Sequence, residues 1–302
     1  MKKILVIKLG ALGDFFSACG TFEKIRAYHP DTKITLLTTL PFKDIATKAP
    51  YFDDVWAISK PRSTYLVAWI KILSRFIKER FDAVYDLQRN DRTKIIKAVS
   101  SLFVGQKWLS GPKGGQLSLL NKFTVPAQML DTRDMAAYPT RDLSWLKGKT
   151  AADFGLGPKY VLVVPGCSAR HPGKRWPTDS YVGLIRLLYD AGFEVAMIGT
   201  KEDMDVTSYL KERVAEVMDL SCKTTLADIA TLASAACATI GNDTGPIHIA
   251  AAAGSPTIVL FSFLSDPAQS APRYDHVKVF RAENMGDIHV DEVMSCFGDI
   301  HI

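Results

Sequence analysis

No apolar run in the 302-residue chain is long enough to cross a bilayer. The longest clean ones, YLVAWI (65–70) and PTIVLF (256–261), fall well short of the ~18 residues a membrane helix needs. The N-terminus, MKKILVIKLGALGDFF, places Gly and Asp where a signal peptide would need a continuous apolar core, so a cytoplasmic protein is expected. Cysteine is scarce: five residues, at 19, 167, 222, 237 and 296, are odd in number, scattered and without a C-x-x-C pair. A disulfide framework and a zinc site are both disfavoured, and no metal is expected. The dinucleotide fingerprint G-x-G-x-x-G is missing too. The segment read as the second strand ends in Thr38 and Thr39 rather than in an acid that could hold an adenine ribose, so a nicotinamide or flavin site is disfavoured. Short repeats and low-complexity stretches are also absent. With 47% hydrophobic and 23% charged residues, 20 Gly and 15 Pro, the composition excludes a disordered, collagenous or fibrous chain.

What is present begins with length, which suffices for two domains of ~150 residues, each with its own core. The net charge of +5 is unevenly spread. Residues 60–113 hold twelve Lys or Arg against four Asp or Glu, a balance of +8, so the remainder is slightly acidic. Such a field attracts an anionic partner without choosing among nucleic acid, acidic lipid and phosphorylated substrate.

Hydrophobic periodicity alternates strand and helix. KILVI (3–7) reads as a buried strand, followed by a glycine turn and a helix from about Phe15 to Tyr28 that stops before Pro30. KITLLTT and FDAVYDL continue as strands and RTKIIKAVSSLF as a helix, the pattern of a parallel sheet with crossover helices. Residues 130–159 mix charge, Pro and Gly, and the domain boundary is placed near 150. A second series follows: strand KYVLVVPG, helix TDSYVGLIRLLYDAG closed by Gly192, strand FEVAMIG, a Thr225/Asp228 capping box before LADIATLASAA, then CATIG, the turn NDTGP, helix IHIAAAAG and strand PTIVLF. Two Rossmann-like halves are the simplest reading.

Three motifs sit directly after strands, where open α/β sheets bind ligands. In KLGALGD (8–14), Gly10 and Gly13 allow close backbone approach, and Asp14 reads either as a helix cap or as a general base. In PGCSARHPGKRWP (165–177), Arg170, His171, Lys174 and Arg175 form either a solvated basic loop or a diphosphate clamp, while Trp176 reads as a packing residue. In GNDTGPIHIAAAAG (241–254), Asp243 or Thr244 can cap a helix that Pro246 starts, and that N-terminus is a ready anion site. Asp243 would repel a phosphate if it pointed the same way, so it is expected to orient backbone or to meet Lys174 or a sugar hydroxyl. His248, one turn inside, reads as structural.

Together the motifs resemble family 9 glycosyltransferases, the lipopolysaccharide heptosyltransferases. The family's opening strand, basic residue and GD appear as ILVIKLGALGD; its K-x-W-P loop is Lys174-Arg175-Trp176-Pro177; its D-T-G-x-x-H turn is Asp243 to His248. The resemblance implies an α/β GT-B fold, two Rossmann-like domains facing a central cleft. Residues 1–150 would bind the acceptor and 151–285 the nucleotide sugar, with 286–302 packing back on the first domain. Carried over, it makes Asp14 the base, Lys174 a donor-phosphate ligand, and Asp243, Thr244 and Gly245 part of the donor site, with Ser168 near the diphosphate and Arg170 and His248 alongside. Lys8 and Gly13 would then belong to the acceptor side. Two departures stand out. The Pro common soon after GD is replaced around Cys19 and Gly20, and the Cys-containing stretch common beyond the LFG strand gives way to LFSFLSDPAQSAPRYDHVKVF.

The basic region gains a candidate role from this reading. Along TYLVAWIKILSRFIKERF the apolar positions recur at helical spacing with Lys71, Arg75, Lys78 and Arg80 among them, either as domain core or as a face resting on an anionic bilayer. Arg89 and Arg92 follow a strand end and are placed to meet acceptor phosphates or carboxylates, or simply solvent. The resemblance implies inverting, metal-independent transfer of heptose, from ADP-heptose, to a lipopolysaccharide inner-core acceptor. No cofactor is needed, the nucleotide sugar being a substrate, and the enzyme would work as a peripheral protein on the inner face of the bacterial inner membrane. Transfer of another sugar to a different surface glycan shares every motif. A non-catalytic sugar-nucleotide-binding protein would leave Asp14 as a cap. Nucleic acid is disfavoured, because the basic residues are not interleaved with a recognition module.

Overall fold

A computed structural model describes residues 2–59, 66–88, 90–102, 105–109, 142–168 and 171–301; Arg89 and Arg170, singled out above, lie outside the described residues. The chain divides into two compact units, residues 1–140 and 141–302.

The first unit runs β1 (Lys3–Ile7), α1 (Leu12–Ser17), α2 (Cys19–Tyr28), β2 (Lys33–Thr39), α3 (Lys43–Lys48), β3 (Asp54–Ile58), α4 (Leu66–Glu79), β4 (Ala83–Asp86), α5 (Asp91–Ser100) and β5 (Lys107–Leu109). Its strands are all parallel, in the order β3-β2-β1-β4-β5. A parallel sheet is covered on both faces, which is why β1 is an unbroken apolar run and why Ile4 to Ile7 are all buried. The order reverses between β1 and β4, so the loops leaving those two strands flank the switch point where open sheets bind ligands.

Two expectations for this unit are refined. The helix after β1 starts at Leu12, not Phe15, and breaks at Ala18. Phe15, Ala18, Phe22 and Ile25 are buried at helical spacing across the break, so both pieces turn the same apolar stripe to the core. In α4, Ile72 and Phe76 are core residues and Phe76 stacks on Trp108, while Arg75 lies 4.1 Å over the Trp56 ring and 3.7 Å from Asp54. The described part of the apolar face is therefore domain core; Lys71, Arg75, Lys78 and Arg80 are exposed, with Arg75 engaged by Trp56 and Asp54.

The second unit runs β6 (Tyr160–Val164), α6 (Thr178–Asp190), β7 (Glu194–Met197), α7 (Met204–Arg213), β8 (Met218–Asp219), α8 (Leu226–Ala235), β9 (Ala238–Asn242), α9 (Gly245–Ala252), β10 (Thr257–Ser262), α10 (Pro267–Ser270), β11 (Val277–Ala282) and α11 (Val290–His301). The strand order β11-β10-β9-β6-β7-β8, again parallel, reverses between β6 and β9. Gly192, at φ +78°, ends α6 as expected, with its N–H on Tyr189 O and that of Phe193 on Leu188 O. The Thr225/Asp228 capping box is formed.

The division between units falls ten residues before the expected boundary, because 142–149 is fastened to α8. Leu143 and Leu146 are buried, Gly148 N–H donates to Thr231 Oγ1 at 2.8 Å and Lys149 N–H to Asp228 Oδ1 at 2.6 Å. In the tail, Val293 and Phe297 of α11 are buried in the second unit's core, with Phe297 edge-on to Phe193 at 5.0 Å. The apolar face of α11 has found its cover there. Among the described residues no helix is long and apolar enough to cross a membrane.

Candidate functional site

In the first unit, the turn after β1 is shaped by its neighbours on both sides. Lys8 N–H continues the ladder to Leu37 O, Leu9 N–H donates to Gln88 Oε1 at 2.8 Å, and Leu9 O accepts from Thr39 Oγ1 at 3.1 Å. Gly10 has φ +117°, and a Cβ there would lie 2.6 Å from the Phe42 ring, so the residue has to be glycine. The N-cap of α1 is Ala11, which offers no side-chain cap; Gly13 and Asp14 are its second and third residues. Asp14 is therefore not the helix cap. Its carboxylate sits in the first turn, where the helix dipole favours negative charge. Lys8 is buried, and its Nζ is 3.7 Å from Asp14 Oδ2, whose side chain is 35% exposed. A carboxylate backed by an ammonium and half-open to solvent is thus presented beyond the end of β1. Lys8, expected on the acceptor side, lies behind Asp14.

Beyond β4, Gln88 N–H donates to Asp86 Oδ1 while the Gln88 side chain holds Leu9. Asn90 and Thr93 form a reciprocal capping box that opens α5. Arg92 lies in the first turn of that helix and is half-buried. The sequence reading missed Gln88; only its position, two residues past a strand end, marks it.

In the second unit the basic loop after β6 sorts its cations. Lys174 Nζ reaches Asp243 Oδ2 at 3.0 Å, with the carboxylate 8% exposed. Arg175 turns elsewhere, to Asp205 at 3.0 Å, Glu202 O at 3.3 Å and Asp203 at 3.7 Å. Its guanidinium thus bonds Asp205 and the Glu202 carbonyl rather than the Asp243 side that Lys174 takes. His171 and Ser168 are exposed, and Ser168 O accepts from His171 N–H at 2.9 Å. Burial pushes the Cys167 thiol up from its ordinary range, which makes it a poor nucleophile. Trp176 is fully buried, donates from Nε1 to Ile288 O at 2.9 Å and stands edge-on to Tyr181, as a packing residue should.

The turn after β9 completes the picture. Thr244 occupies the N-cap of α9 and Gly245 its first position, yet no side chain caps the helix. Asp243 is engaged with Lys174 and, through Oδ1, with His248 Nε2 at 3.5 Å. Burial by itself would raise the Asp243 carboxyl, but the bonds from His248 and Lys174 outweigh it and hold the group down at about 2. Thr244 Oγ1 and His248 Nδ1 are buried without a hydrogen-bond partner. Buried polar atoms are rarely left so, and the unpartnered Thr244 hydroxyl beside an uncapped helix N-terminus and a lysine describes a place for an anion rich in acceptor oxygens. Asn242, also missed by sequence reading, lies at the base of this arrangement, donating to Pro165 O and Gly166 O and accepting from Trp176 N–H.

The model of glycosyltransferase family 9 (heptosyltransferase) matches residues 71–296. A lipooligosaccharide heptosyltransferase 2 of Haemophilus influenzae is 32% identical over 306 residues, covering 92% of this chain and 88% of that protein. Among solved structures, a family 9 glycosyl transferase from Veillonella parvula shares the fold with a TM-score of 0.83 at 17% identity, over 99% of this chain and 97% of that one. The ADP-heptose lipopolysaccharide heptosyltransferase II of Escherichia coli does so with a TM-score of 0.81 at 19% identity, over 100% and 98%. The two parallel sheets are thus those of a GT-B fold, as the sequence motifs implied.

Proposed function

The chain belongs to glycosyltransferase family 9, the heptosyltransferases, and from that premise we propose that it transfers heptose from ADP-heptose to an inner-core sugar of lipopolysaccharide, with inversion. The observation that carries the donor side is the Lys174–Asp243 pair beside the uncapped N-terminus of α9. In this reading Lys174 and the α9 backbone N–H groups take the diphosphate, while the Thr244 hydroxyl finds in it the partner it lacks. Gly245 leaves room for close approach, Ser168 lies on the same loop as Lys174, and the Arg170 charge is assigned to the donor side from sequence alone. Asp243 does not meet the phosphate itself; it holds Lys174 and His248 in place.

Asp14 removes the proton from the acceptor hydroxyl as that oxygen attacks the anomeric carbon. The bond from that carbon to the phosphate oxygen breaks, ADP leaves with the electron pair, and the single displacement inverts the centre. Charge growing on the departing diphosphate is met by Lys174 and the positive end of α9, so the mechanism needs neither a metal ion nor a cofactor. Lys8 steadies Asp14 from behind, and Gly13 keeps the helix start narrow beside the acceptor. Arg89 and Arg92 receive anionic groups of the glycolipid. Lys71, Lys78 and Arg80 favour peripheral residence on the anionic cytoplasmic face of the inner membrane, with no part of the chain in nucleic-acid binding.

Mass spectrometry of truncated core glycolipid incubated with the purified protein and a panel of nucleotide sugars tests the proposal. Gain of one heptose from ADP-heptose is expected. Gain of a different sugar, from a different nucleotide, would overturn the donor assignment, and no gain from any donor would overturn transfer.

A further inference from the structure

Asn242 ends β9 with its side chain fully buried, and all three of its carboxamide hydrogen bonds go to one loop. Nδ2 donates to Pro165 O at 2.7 Å and to Gly166 O at 3.2 Å; Oδ1 accepts from Trp176 N–H at 3.0 Å. One side chain therefore fastens the start and the finish of the stretch that carries Ser168 and Lys174. The chemistry is restrictive. A carboxylate would set an acceptor against two carbonyl oxygens, a serine could not reach all three partners, and a glutamine would add a methylene to a fully packed position. The residue that follows, Asp243, holds Lys174 at 3.0 Å, so the loop is tied to the same strand end that supplies its lysine with a partner.

We propose that Asn242 is a positioning residue of the donor site: it fixes both ends of the loop after β6, and thereby sets Lys174 against the N-terminus of α9 for binding of a nucleoside diphosphate. It touches no part of the ligand. The inference rests on the donor reading above, and its physical ground is that a charged group displaced by as little as ~1 Å forfeits much of its effect.

A double-mutant cycle read by calorimetry with ADP, using the full chain, tests it. Asn242→Ala is expected to weaken ADP binding roughly 10- to 100-fold in the otherwise unaltered protein. The same substitution is expected to cost less than about threefold once Lys174 is already alanine, because it acts through that lysine. A residue that served only the stability of the fold would lower the urea midpoint yet give equal losses in both backgrounds, and equal losses overturn the proposal. So does unchanged ADP affinity in Asn242→Ala. Should that variant fail to fold, Asn242→Ser carries the same cycle, with the same outcomes deciding. If the unaltered protein binds no ADP, or Lys174→Ala leaves ADP affinity intact, the donor reading falls and takes this inference with it; additive losses in a protein that binds ADP through Lys174 defeat this inference alone.

Discussion

Lys174 Nζ stands 3.0 Å from Asp243 Oδ2, although the two residues are 69 positions apart and leave different strands. Those strands, β6 and β9, are neighbours in register, with Val164 beside Gly241, so the loops leaving them open together at the switch point, and the fold of the loop after β6 brings Lys174 back to Asp243. The pair does more than neutralise. It leaves the ammonium pre-oriented and desolvated on one side, the condition under which a fixed charge is most effective toward charge that develops later in a reaction.

Lys174→Ala should therefore slow transfer by an amount on the order of the ~2.7 to 4 kcal/mol lost with other preorganised electrostatic groups. ADP affinity, measured by calorimetry, should fall with it. Chelator should change neither quantity in the unaltered enzyme. Retained affinity in the variant would return the loop to a solvated surface, and loss of activity on chelation would defeat the metal-free mechanism.

Asp243 makes a pH prediction whose sign follows from its partners. Its carboxyl is buried, which works to raise it, but His248 and Lys174 hold it at about 2 in the folded chain against an ordinary value of 3.8. A carboxyl lowered on folding stabilises above its unfolded value and loses that contribution as pH falls through the folded one. The contribution is about 2 kcal/mol near neutrality. Urea unfolding of the unaltered protein and of Asp243→Asn should differ by that much near pH 6 and converge as the pH is brought down toward 2. A gap that persists at low pH would mean that packing, not the ion pair, is what the substitution disturbs.

Much of this arrangement was legible in the sequence because it depends on local signals. An unbroken apolar run such as KILVI has one use in an α/β chain, and each of the three motifs follows directly on such a run. Gly192 and the Thr225/Asp228 pair marked helix ends by the backbone chemistry that ends helices. What could not be read was partnership at long range. Charge alone offered Lys174 as one of several partners for Asp243, and that is the contact made, but nothing in K-R-W-P says that the neighbouring Arg175 meets Asp205 instead. The roles of Asn242 and Gln88 are likewise invisible until the strand order brings 165 beside 242 and 9 beside 88.

Gly10 is a place where the backbone itself is committed. Its φ of +117° is costly for any residue with a Cβ, and the Phe42 ring occupies the space that Cβ would take. Gly10→Ala should lower stability by roughly 1 to 3 kcal/mol in urea unfolding and depress turnover by moving the start of α1. Trimming the obstacle as well, in Gly10→Ala with Phe42→Leu, should restore little, since the backbone strain remains. Full recovery would show that the ring contact alone makes this residue a glycine.

Asp14 decides whether the first unit performs chemistry or only binds. As the third residue of α1, Asp14 is the counter-charge of the buried Lys8, so Asp14→Asn should cost roughly 1 to 3 kcal/mol of stability while leaving the chain folded. The base assignment demands much more of turnover. Removing a general base costs roughly 10²- to 10⁴-fold, and since Asp14 plays no part in holding the diphosphate, ADP affinity should stay as it was. Unfolding midpoint, calorimetry and turnover on one preparation separate the readings. A variant that is folded, binds ADP and is nearly inactive fits a base 3.7 Å in front of Lys8. A variant with undiminished turnover would mean that another group takes the acceptor proton, and the carboxylate beyond β1 would be left with only its electrostatic service to the helix.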